Sequence, residues 1–126
     1  MLSDVKVITN NPMTKEKIPE YFELEYIDGD VEEVFKRVRD YVHKGHTLLT
    51  HPLMSSVKPN ETPYRTILIS NKKNENVDFE SLQIIEDSIA SLLKFMKMFN
   101  CPDWNERIKK DFMIIDYDLI NNVINK

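Results

Sequence analysis

Glycine is nearly missing from this chain, with only Gly29 and Gly45 among 126 residues. An extended Gly-rich phosphate loop therefore cannot be built. Cysteine is scarcer still: Cys101 stands alone. A lone cysteine closes no internal disulfide, so folding is not expected to depend on an oxidising compartment. No apolar run approaches the roughly 18 residues that read as a membrane span. The segment from Met1 to Thr9 has no basic leader and no small-residue cleavage pattern, so it is not expected to be a signal peptide, and cytoplasm is the expected location. Basic residues number 17 against 21 acidic ones, a formal charge of −4. Without an excess of clustered Lys and Arg, neither nucleic acid nor an anionic membrane is expected as the main partner. The charge is read as serving solubility.

What is present is ordinary for a globular chain: 41% hydrophobic and 30% charged residues. One core and one domain over residues 1–126 are expected. Val5 to Thr9 reads as a β-branched strand, stopped by Asn10-Asn11-Pro12. Met13 to Glu20 has room for a helical turn before Pro19 intervenes. Phe22 to Ile27 alternates apolar and charged, the pattern of an edge strand with one wet face. Asp30 and Glu33 have capping-box spacing, and Val31, Val34, Phe35, Val38 and Val42 form one helical stripe that Gly45 closes. Thr47–Thr50 and Thr66–Ser70 read as two further strands, the second buried on both faces. Asp78 can cap a long helix with Leu82, Ile85, Ile89, Leu92, Leu93 and Met96 along one side. Asp103 and Glu106 repeat the capping spacing, with Trp104, Ile108, Phe112 and Ile115 as the stripe that follows. Leu119, Ile120, Val123 and Ile124 extend the helical pattern, while residues 112–115 suit either a helix or a short extended link. Trp104 and the methionines at 96 and 98 are expected in packing.

The resulting order predicts an α/β chain: a small layered fold, with a four-stranded, mostly parallel sheet and helices packed on it. The link between the first two strands allows them to run either way.

The segment from Thr50 to Arg65 stands out. About fifteen residues join two apolar strands with neither period in them, and connections that long are often functional. Pro52, Pro59 and Pro63 restrict its freedom. If strands one and three are neighbours, Thr9, Asn10 and Asn11 meet this loop beyond the strand ends, where ligands of open sheets bind. The candidate ligand-binding residues are thus Thr9, Asn10, Asn11, His51, Ser55, Ser56, Lys58, Asn60, Tyr64 and Arg65, a set suited to a small anion. A structural loop whose polar groups serve turns and caps is the competing interpretation.

No metal centre or cofactor is indicated. His46 and His51 are an odd offset apart, so in a continuous strand they point to opposite faces, roughly 16 Å from each other. His43 suits the C-terminal end of its helix. Cys101 precedes Pro102 with no electropositive setting and reads as inert. A hydrolase would have to join Ser55 or Ser56 to His51 and Asp116 without the glycines of a nucleophile elbow.

Two stretches carry a family resemblance. One is Thr9-Asn10-Asn11-Pro12. The other runs from His43-Lys44-Gly45-His46 through Thr47-Leu48-Leu49-Thr50-His51-Pro52, then from Ser56-Val57-Lys58-Pro59-Asn60 to Glu61-Thr62-Pro63-Tyr64. Together they resemble the GrdX family over about Val5 to Ile120: small proteins encoded beside glycine, sarcosine and betaine reductase components in amino-acid-fermenting anaerobes. The resemblance implies association with a selenium- and thioredoxin-dependent reductase system. It carries over no catalytic residue. The leading expectation is an accessory protein that binds a reductase component or a small anionic ligand through the loops at Thr9–Asn11 and His51–Arg65. The alternative is a small enzyme for a phosphorylated or carboxylated metabolite, with His51 as acid/base and Lys58 or Arg65 as anion anchor. A homodimer is a third arrangement compatible with the sequence.

Overall fold

The computed structural model describes residues 4–54, 58–99 and 102–125. Ser55, Ser56 and Cys101 lie outside the described residues.

Strand β1 (Val5–Thr9) is followed by helix α1 (Pro12–Lys17), strand β2 (Glu23–Tyr26), helix α2 (Val31–His43), strand β3 (Thr66–Ser70), and helices α3 (Phe79–Met98) and α4 (Glu106–Ile124). The local chemistry of the starts is plain. Asn11 Oδ1 accepts from Met13 N at 2.9 Å, with Pro12 at the first helical position. Asp30 Oδ1 accepts from Glu33 N at 2.9 Å, and Asp78 Oδ2 from Ser81 N at 3.1 Å. The fourth helix departs from expectation. Its cap is Asn105, whose Oδ1 accepts from Ile108 N at 2.9 Å, not Asp103. Trp104 is held outside the helix by a bond from its indole Nε1 to Glu61 O at 3.0 Å.

The sheet has three strands in the order β2-β1-β3. β1 runs parallel to β2, with Thr9 opposite Tyr26, and antiparallel to β3, with Thr9 opposite Thr66. The expected four-stranded, mostly parallel sheet is thus corrected to a three-stranded mixed one. The missing strand, Thr47–Thr50, contributes one antiparallel bridge, Leu48 to Ile69, on the outer side of β3. Side chains end the ladder there. Leu48 N donates to Ser81 Oγ at 2.9 Å, and Thr50 Oγ1 accepts from Leu68 N at 3.0 Å. This stretch neighbours β3, not β1.

Strand alternation sorts the core into two layers. Ile8, Ile67 and Ile69 face α2 and α3, packing with Val34, Phe35 and Ile85 among others. Val5, Val7 and Leu68 face the other way, with Ile18, Phe22, Ile120 and Ile124. Helix α4 shows which of its two apolar stripes is the inner one: Asp116, Ile120 and Ile124 are buried, while Ile108 and Ile115, read above as a packing stripe, are 39% and 46% exposed. Residues 112–115 belong to this helix. Met98 is also largely exposed.

Gly45 follows α2 with φ +110°, a region L side chains rarely adopt, and an added Cβ would collide with the Asn74 carbonyl. Gly45→Ala is expected to destabilise the chain by more than about 1 kcal/mol, measured by urea denaturation. A loss within a few tenths of wild type would contradict this account of the turn.

Candidate functional site

Period-two alternation places Thr9 on the α1/α4 side of the sheet, and the antiparallel register sets Thr66 beside it. Their hydroxyls lie 2.7 Å apart. Thr66 Oγ1 donates to Asp116 Oδ2 at 2.6 Å, and Asn11 Nδ2 donates to the same oxygen at 3.0 Å. A hydroxyl has one proton. With that of Thr66 directed at the carboxylate, Thr66 Oγ1 accepts from Thr14 at 3.2 Å and from Thr9, whose single proton is shared between Thr66 Oγ1 and the Arg65 carbonyl at 3.3 Å. Asn11 Nδ2 also reaches Met113 O at 2.9 Å. Thr9, Asn11, Thr14, Thr66 and Asp116 are all buried.

The next residue back, Asn10, serves the opposite layer. Its Nδ2 donates to Gly29 O at 3.0 Å and to Pro63 O at 2.8 Å, and its Oδ1 accepts from Arg65 N at 2.9 Å. Asn10 N donates to Arg65 O at 3.4 Å. The proline-rich stretch before β3 is therefore fastened to the turn after β1 and to the turn before α2.

Asp116 was missed as part of this rim by sequence reasoning, beyond its weak mention in a hydrolase triad. An Asp four residues before Ile120 and eight before Ile124, on the same face of an amphipathic helix, was the available signal. Burial pushes its carboxyl above the usual aspartate range. Hydrogen bonds from Thr66 and Asn11 and the nearby charge of Arg65 oppose that shift. Burial likewise lowers the Arg65 guanidinium, and Asp116 opposes it.

Of the sequence candidates, Thr9, Asn10, Asn11 and Arg65 come together at this rim, and their hydrogen bonds described above go to the protein itself. His51 departs from the same rim but on the outer side of β3, about two strand spacings, ~10 Å, from β1. Its Nδ1 accepts from Leu53 N at 3.1 Å. Lys58 is exposed, with Nζ 5.5 Å from the centre of the Phe99 ring. These three candidates, His51, Lys58 and Arg65, thus occupy different surroundings.

Asn60 and Tyr64 line a cavity of about 410 Å³ beside the rim. One wall is the start of α2 with its preceding turn, Gly29 to Glu32. The second is the proline-rich stretch, through Pro59, Asn60, Thr62, Pro63 and Tyr64. Leu92 and Met96 of α3, Trp104 and Lys109 complete the lining. Asn60 is 6% exposed, and its Oδ1 is buried without a hydrogen-bond partner among the described residues. Such a group is costly unless a donor reaches it.

These features define a three-layer α/β protein with an apolar cavity at one rim of its sheet. The chain belongs to the GrdX-like protein family, whose model matches residues 6–125, nearly its whole length. No curated protein and no solved structure matches it. Among the described residues, no helix is long and apolar enough to cross a membrane.

The raised Asp116 carboxyl has a stability consequence. The folded state holds this proton more tightly than the unfolded chain, so the stabilisation is full below the ordinary value of 3.8 and is lost as pH rises through the folded value. Stability of wild type relative to Asp116→Asn, which keeps an acceptor oxygen, is expected to fall with pH across that window, as read by denaturant titrations. Parallel pH profiles would contradict it. Asp116→Ala, which strands the Thr66 and Asn11 donors, is expected to cost roughly 1–3 kcal/mol.

Proposed function

We propose that this protein is a non-catalytic accessory of a glycine, sarcosine or betaine reductase system, and that it binds through the cavity and its proline-rich wall. Family membership supports the association with the reductase system. The observation that carries the binding role is the Asn10 clamp. One side chain ties Pro63, Arg65 and Gly29 together, so two walls of the cavity are held in fixed relation before anything binds. The bond from Trp104 Nε1 to Glu61 O fixes a third wall to the second. Preorganisation of this kind lowers the cost of ordering a surface on association. The cavity combines apolar side chains with a few polar groups, the usual make-up of a recognition site. Thr9, Asn10 and Asn11 act in this reading as positioning residues, and the contact surface is Lys58 to Tyr64 with Trp104.

The test is binding of the purified chain to each purified reductase component, followed by biolayer interferometry. One component is expected to bind. Trp104→Ala and Asn60→Ala are expected to weaken it about tenfold or more, the scale of a hot-spot residue. Phe79→Ala, at a position 82% exposed at the start of α3, serves as the control and is expected to leave binding unchanged. Failure of every component to bind, or equal effects at Phe79 and Trp104, would overturn the proposal.

A further inference from the structure

Helix α4 carries an apolar flank that neither the core nor the cavity uses. Ile108, Phe112, Ile115, Leu119 and Val123 follow one another at helical spacing, with no charged residue among them. Ile108, Ile115 and Val123 are 39%, 46% and 37% exposed, and Phe112 and Leu119 are half-buried. None of the five lines the cavity. At about 100° per residue, Ile115 and Tyr117 leave the helix on opposite sides of the buried Asp116. Tyr117 is on the α1 side, where Lys17 Nζ lies 5.6 Å from the centre of its ring. The stripe through Ile115 is therefore on the flank away from α1, toward the outer edge of β3. Leu49 lies at the same edge. Leu48 packs into the α2/α3 layer, so alternation turns Leu49 to the α4 side, where it is 49% exposed. Exposed apolar surface gathered on one side of a molecule marks an interaction site.

The charges beside the stripe indicate what covers it. Arg107, Asp111 and Asp118 run along its solvent side, all exposed. Among the described residues, none of the three makes an ion pair. Arg107 and Asp118 stand about three turns, ~16 Å, apart on one side of the helix, too far to meet within one copy. A second copy running antiparallel removes that separation. With the two-fold axis between Met113 and Ile114, Ile108 falls opposite the partner's Leu119, and Phe112 opposite the partner's Ile115. Each Arg107 then comes within about 3 Å of register with the partner's Asp118, and it also has Asp111 one turn along its own helix. The macrodipoles of the two helices oppose each other, which adds to the attraction. A two-fold interface requires this kind of self-complementarity.

We infer that the outer flank of α4 is a homodimer interface: two copies pack antiparallel through Ile108, Phe112, Ile115 and Leu119, with each Arg107 against the partner's Asp118. This holds whether or not the cavity binds a reductase component.

The test is sedimentation velocity of the full chain over a concentration series. A dimer with a micromolar or tighter Kd is expected. Ile115→Glu, at an exposed position and checked for folding by circular dichroism, is expected to weaken the dimer about tenfold or more. Ile108→Glu repeats the test one layer away. Arg107→Asp and Asp118→Arg are each expected to weaken it severalfold, and the double variant Arg107→Asp/Asp118→Arg to restore most of the loss. Phe79→Ala, on α3, is expected to leave the dimer unchanged. A monomer throughout the series, a dimer indifferent to both glutamate substitutions, or a double charge variant no better than the single ones would each overturn the inference. A monomer whose binding to a reductase component is lost on Ile115→Glu would also overturn it and assign the flank to that component.

Discussion

The contact between Thr9 and Thr66 underlies most of what this structure does. It exists because β3 returns antiparallel to β1 in a register that makes these two residues partners on one face. From that pairing, the hydroxyl of Thr66 reaches Asp116, and α4 is joined to the end of β1. The following residues extend the joint in both directions. Asn11 serves the α1/α4 layer through Met113 and Asp116, and Asn10 serves the α2/α3 layer through Gly29 and the proline-rich stretch. Successive residues at a strand end point to opposite faces, so two adjacent asparagines can fasten both layers at once.

This arrangement gives a physical reason for a polar sequence at a buried place. Asparagine supplies two donors and an acceptor on a short stem, and Asn10 uses all of these on backbone groups of two separate turns. A buried carboxylate at Asp116 is costly on its own. Two donors and the field of Arg65 offset part of that cost. The rim is thus a structural joint, and the cavity whose walls it aligns lies beside it.

Several features were legible in the residues. The stripe from Val31 to Val42 and the caps at Asp30 and Asp78 depend on spacing within one helix, and each was found where its spacing places it. The proximity of Asn10 to the stretch before Thr66 was also expected, although the route differs. Thr47–Thr50 does not lie beside β1; β3 lies between them. Helix α4 was harder to read because it carries two apolar stripes, and periodicity alone ranks neither. The inner one contains an acid, which argues against burial until its partners from the distant strand and turn are known. The cap of the same helix was ambiguous for a similar reason: Asp103 and Asn105 both have cap chemistry, and the helix starts from Asn105, with Trp104 outside it and bonded to Glu61.

By itself, then, the sequence determined three of the strands, the long helices, the caps of α2 and α3 at Asp30 and Asp78, the scarcity of glycine-dependent chemistry, and a family shared over nearly the full chain. These follow from short-range spacing and composition. Only the tertiary structure decided the direction of β3, the loss of a fourth strand, the burial of Asp116 and the cavity beside the joint. Each of those depends on groups more than about twelve residues apart finding hydrogen-bond partners or packing surfaces in one another, as Asn11 does with Asp116 and Asn10 with Pro63. No local pattern encodes such a meeting.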